Sequence, residues 1–163
     1  MEFLDKFSRL LNQILLWFAG ISLILMILLT CSNIFLRLVW TPISGTFELM
    51  GFLGAITTAF ALGYTQMKRG HIAIDILVHS FSKRKQALLN SINYFISAIF
   101  FLIVSWQIAK YATTLLKSGE ITETLRIVYY PFTYGVSLGC LGLSLVFFVD
   151  FLGSVLPRKE DSE

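Results

Sequence analysis

Apolar residues do not alternate with polar ones along this chain; they run together. Between consecutive charged residues lie 27 uncharged positions from Leu10 to Leu36, 19 from Leu49 to Met67, 24 from Gln86 to Ala109 and 23 from Ile127 to Val149. A helix needs about 20 apolar residues to cross a bilayer core, so each run predicts one membrane span, placed at about 12–37, 46–67, 84–110 and 131–152. The expected fold class is therefore all-α: one four-span integral membrane domain over residues 1–163, built as a four-helix bundle.

The polar residues between the runs punctuate these helices. Met1 to Leu11 carries Phe3, Leu4, Phe7, Leu10 and Leu11 at spacings of three and four, with Glu2, Asp5, Lys6 and Arg9 between them. That pattern predicts an amphipathic stretch lying at the membrane interface before the first span turns in. Arg37 suits a helix C-terminus, Trp40 suits headgroup depth, and Pro42 blocks continuation. The second helix starts at Thr46 with Glu48 at its positive dipole end, and finishes at Lys68 and Arg69 with Gly70 as cap.

After Gly70, Ile74, Leu77, Val78 and Phe81 mark one face and His71, Asp75 and His79 another, which predicts a short amphipathic cytoplasmic helix between the second and third spans. The third helix keeps its apolar pattern through Leu116, so it must tilt or protrude. Ser118-Gly119 opens the last loop, and Pro131 starts the fourth helix.

Small residues add a second periodicity. Gly51, Ala55, Ala59 and Gly63 stand four apart on the second helix, and Gly135, Gly139 and Gly142 form a shorter series on the fourth. Such stripes are close-contact surfaces in lipid, either between the helices of one bundle or toward a partner chain.

Composition agrees with the pattern: 56% of residues are hydrophobic and 14% charged, against about 45–50% and about 25% in soluble globular domains. The tails and loops left over are too short for a separate catalytic domain. The first run exceeds a signal-peptide core of about 7–15 residues and is expected to be retained. Nine Lys and Arg (6, 9, 68, 69, 83, 84, 85, 158 and 159) fall on one side of the membrane and four (37, 110, 117 and 126) on the other. The positive-inside rule then puts both termini and the middle loop in the cytoplasm and the loops after the first and third spans outside, which in a bacterium is the periplasm. The net charge of +3 is topological and forms no continuous stripe, so no nucleic-acid partner is expected.

Candidate chemistry is sparse. His71, Asp75 and His79 share a helical face, yet no Cys or Glu accompanies them, and ordinary polar-face residues are the better reading; no metal is expected. Haem would need ligands on facing helices, and both histidines lie in one segment. The sequence contains neither a GxSxG elbow nor a glycine-rich phosphate loop, and no ionised group lies at mid-span, so neither enzyme activity nor a cofactor is expected. Arg37 and Glu48 flank one short outer loop, where they can pair, contact a partner, or merely complement their helix dipoles.

Four strings in fixed order carry a family likeness: NIFLR from Asn33 to Arg37, PISGTFEL from Pro42 to Leu49, YTQMKRGHIAIDIL from Tyr64 to Leu77, and SGEITETLRI followed by YYPF near the fourth helix. Over nearly its whole length the sequence resembles the small membrane subunit, DctQ type, of tripartite ATP-independent periplasmic (TRAP) transporters. Val128 stands where such proteins commonly carry proline.

The resemblance implies a noncatalytic subunit. It would widen the stationary scaffold of a large elevator-type subunit, which takes up an organic acid with sodium after a periplasmic binding protein delivers it. It further implies that Asn33, Arg37 and Glu48 organise the outer end and that Gly70, His71 and Asp75 shape the inner arm. Glu120, Glu123 and Arg126 become the candidates for electrostatic docking of the binding protein. Large subunit, binding protein and lipid are thus the expected partners. The alternative is an autonomous homo-oligomeric carrier or channel built around Glu48; a membrane-bound redox subunit is a third, which a cofactor spectrum would reveal.

Overall fold

The structure, a computed structural model, describes residues 2–68 and 83–155. Four helices make up almost all of it: α1 (Glu2–Val39), α2 (Thr46–Met67), α3 (Lys83–Ser118) and α4 (Tyr130–Val155). All four are long and apolar enough to cross a membrane. At 1.5 Å per residue α2 is about 33 Å long and matches a bilayer core, while α1 and α3 reach about 57 and 54 Å.

α1 departs from the sequence reading. No turn separates the opening amphipathic stretch from the span; one helix runs from Glu2 to Val39. No proline falls inside it, and Arg9 pairs with Asp5 one turn away, Nε to Oδ1 at 3.1 Å. With nothing to break the backbone ladder, the cheapest continuation is straight. The amphipathic segment expected after Gly70 lies outside the described residues, as do Gly70, His71 and Asp75 themselves.

The helices stand in an open row. α1 packs on α2, α2 on α4, and α4 on α3; α1 also meets α4 over a short stretch. α4 is the hub, with 44% of its apolar stretch buried against 11% for α3. Its core is Leu143 and Phe147 with Ala98 of α3, and Phe101 stacks on Phe147 at a ring separation of 5.8 Å.

Serines join α3 to α4. Ser105 donates to the Ser137 carbonyl and Ser137 to the Ser105 carbonyl, each at 2.8 Å, and Ser144 donates to the Ala98 carbonyl at 2.8 Å. A hydroxyl in lipid must find an acceptor within the protein, and these reciprocal bonds also fix the axial register of the two helices. Two ends result. The loop end carries residues 40–45 and 119–129; the terminal end carries the start of α1, the end of α2 and the last turns of α4.

Candidate functional site

Among the described residues, those singled out in the sequence lie at the loop end and along one face of α2. Asn33, near the end of α1, accepts a hydrogen bond from the Ile43 backbone N–H at 2.8 Å and so ties the α1–α2 loop to the helix it leaves. Thr46 returns a bond to the Ile43 carbonyl at 2.7 Å. Gly45, the N-cap of α2, adopts φ +74°, a left-handed conformation that costs other residues about 1–2 kcal/mol.

Glu48 makes the decisive contact. Its carboxylate does not pair with Arg37; Oε1 accepts the Thr124 N–H at 2.7 Å and Oε2 the Leu125 N–H at 3.0 Å. Both donors belong to the α3–α4 loop, 76 and 77 residues further on. A short carboxylate pinned between two backbone amides is a charge-assisted staple. It holds the loop tip over the first turn of α2, where the helix dipole favours the same charge.

The loop is shaped to accept it. Ile121 and Val128 form an antiparallel bridge, and the Thr122 N–H donates to the Ile127 carbonyl at 2.9 Å. Thr122 is 2% exposed, and its hydroxyl accepts the Ile127 N–H at 3.0 Å. Arg126 turns the chain back at φ +54°. Leu125 lies over Gly45, filling the space where a Cβ would project. Val128 thus serves as a bridge partner in this hairpin. Glu120, Glu123 and Arg126 are exposed on the loop, and Arg37 is exposed on the last turn of α1 with no ion pair among the described residues.

Below this lid the small-residue stripe divides. Ala59 is buried, and Gly139 of α4 sits so close that a Cβ on it would strike the Ala59 carbonyl. Gly63 is buried beneath the Asn12 carboxamide in the same way. Gly51 and Ala55 are exposed, with nothing near the Cβ direction of Gly51. They line a groove of about 550 Å³ between α2 and α3, floored by Phe132 and Val136 of α4 and walled by Ile108 and Tyr111. Phe52 stacks on Phe132 at 4.1 Å and meets Tyr129 edge-on at 5.4 Å, and the groove continues past them to Glu48 and Thr122. The groove exists because α2 and α3 both pack on α4 and not on each other.

Two further residues matter that the sequence pattern did not single out. Thr122 is the buried pivot of the loop. Asn12, 0% exposed, donates to the Ser8 carbonyl at 2.9 Å and reaches the Gly142 carbonyl at 3.5 Å, so it fastens α1 to α2 and α4 together. The available signal was a carboxamide in the long uncharged run from Leu10 to Leu36 beside two glycine-bearing helices. Its companions Gln13 and Asn33 in that run made it inconspicuous.

The model of the family described as tripartite ATP-independent periplasmic transporters, DctQ component, matches residues 26–156. The match takes in both loops, Glu48 and the whole stripe, and begins after Asn12. No curated protein and no solved structure matches the chain.

Proposed function

Because the chain belongs to the DctQ family, the small membrane component of tripartite ATP-independent periplasmic transporters, we propose that it is the noncatalytic brace of such a transporter, seated against its large membrane subunit. Its place is the bacterial inner membrane, with the termini in the cytoplasm and the loop end in the periplasm. It supports sodium-coupled uptake of an organic acid that a periplasmic binding protein delivers.

The observation that carries this reading is the open half of the α2 stripe. Gly51 and Ala55 expose backbone along a groove already shaped by three helices, a surface on which a foreign helix can approach closely. Asn33 and Glu48 tie the two loops to α1 and α2, and the exposed charges of Arg37, Glu120, Glu123 and Arg126 stand beside these ties, available to partners.

Co-expression with the large-subunit gene tests the proposal. The chain is expected to co-purify with the large subunit, and Gly51→Phe to abolish co-purification while the chain still folds. Solute uptake is expected to require this chain. Uptake that persists after its deletion, or solute flux through the chain alone in liposomes, would overturn the reading.

A further inference from the structure

At the terminal end three helices enclose a polar recess of about 360 Å³. Arg9 and Asp5 of α1, Lys68 of α2 and Asp150 of α4 line it, two cations and two anions. Val146 and Val149 of α4 and Met67 of α2 give it apolar walls. Arg9 and Asp5 form a forked pair, Nε to Oδ1 and the terminal nitrogen to Oδ2, both at 3.1 Å. That pair leaves three of the five guanidinium N–H groups for another acceptor. Asp150 accepts from Gln66 at 3.3 Å, and Lys68 lies 5.8 Å from the Tyr64 ring centroid.

Packing puts these charges at one end of the molecule. Asn12 wedges against Gly63 and Gly142, where a Cβ on Gly142 would meet Leu15 at 3.1 Å and Asn12 at 3.2 Å, and this crossing sets the mutual register of α1, α2 and α4. Along their helices Arg9 stands about 5 Å and Lys68 about 8 Å beyond the crossing. Since α2 alone matches the bilayer core, that level is the headgroup layer. On the outer flank of α1, Leu10, Ile14 and Trp17 are 60%, 46% and 70% exposed, an apolar surface leading away from the recess.

We propose that this recess binds the head group of a zwitterionic phospholipid bearing a primary ammonium, with the phosphodiester on Lys68 and Arg9, the ammonium on Asp5, and the acyl chains along the exposed flank of α1. A balanced set of charges accommodates a zwitterion better than an anion, because each ligand charge finds its opposite and neither cation is left competing for bulk counterions. The phosphate end needs donors, which lysine and arginine supply; only an ammonium with N–H groups can use the carboxylate end, so a quaternary head group loses those hydrogen bonds.

Native mass spectrometry of the purified full-length chain, delipidated and titrated with phosphatidylethanolamine, phosphatidylcholine, phosphatidylglycerol and soluble glycerophosphoethanolamine, tests this. The expected result is retention of phosphatidylethanolamine about tenfold more tightly than either other lipid. Lys68→Gln and Arg9→Gln are each expected to weaken all phospholipids. Asp5→Asn is expected to erase only the preference for the ammonium. Equal binding of phosphatidylglycerol, or affinities unmoved in all three variants, overturns the proposal; equal binding of glycerophosphoethanolamine assigns the recess to a free phosphodiester and overturns the lipid. The three residues are on the rim, so the variants keep the helix crossing at Asn12, and circular dichroism with an unchanged melting midpoint verifies it.

Discussion

The two halves of the α2 stripe have the same residues at the same spacing and opposite surroundings. Ala59 and Gly63 are spent inside the molecule, one under a neighbouring backbone and the other under a buried carboxamide; Gly51 and Ala55 look into an open groove. Small residues in lipid therefore license close approach without saying whose backbone approaches. What separates the halves is what lies beside them: Ala59 and Gly63 face Gly139 of α4 and Asn12 of α1, while Gly51 and Ala55 line the groove between α2 and α3 over α4.

Substitutions along the stripe sharpen that contrast. Gly63→Leu is expected to give the largest effect, loss of folded protein, because no rotamer avoids the Asn12 carboxamide. The milder Gly63→Ala is expected to cost about 1–3 kcal/mol of stability in detergent, as overpacking of a filled interior does. Asn12→Ala should restore part of that loss, and a double-mutant cycle between the two positions reads the coupling directly. Gly51→Ala, by contrast, should be neutral or raise stability by up to about 1 kcal/mol through helix propensity alone. Equal losses at positions 51 and 63 would show that the groove is closed in the folded chain.

The loop end yields the next effects in size. Gly45→Ala is expected to destabilise by about 2 kcal/mol, because it combines a left-handed φ with displacement of Leu125. Glu48→Gln should keep the helices intact yet speed amide hydrogen exchange at Thr124 and Leu125, since a neutral amide presents one acceptor oxygen where the carboxylate presents two. Unchanged exchange at both amides would remove the staple from the account. The smallest expected effect is from reversing Glu120 and Glu123, which should alter only the salt dependence of uptake in the assembled transporter, as rim charges do.

Much of this architecture is legible in the hydrophobic pattern. Four long uncharged runs become four membrane helices because a backbone in lipid must satisfy its own hydrogen bonds, and a helix does so within one segment. Pro42 marks the first turn for a local reason, since it blocks the helix, whereas the reversed φ of Gly45 that starts the next helix is seen only in the structure. The family likeness, too, was readable from strings of residues: those at 33–37, 42–49 and 118–132 belong to the loop end, the one at 64–77 begins in the last turns of α2, and all lie within the family match.

Pairings between distant residues were not legible. Arg37 and Glu48 stand close in sequence across one loop, which leaves an ion pair, a partner contact and dipole complementation all open; the carboxylate goes to amides 76 and 77 residues away. Backbone donors carry no signature in the amino-acid code, so any loop of that length looks equally able to supply them. Asn12 is silent for a related reason, since a carboxamide reads as merely polar until two glycines from other helices arrive beside it. Sequence by itself determined that the chain carries four helices long and apolar enough to cross a membrane and that α2 starts at Thr46, because those outcomes follow from local residues and from the transfer of one segment at a time into lipid. Tertiary structure alone decided which half of the stripe is used up, what Glu48 holds, and where charges of both signs meet, because each depends on the relative depth of helices that only packing can set.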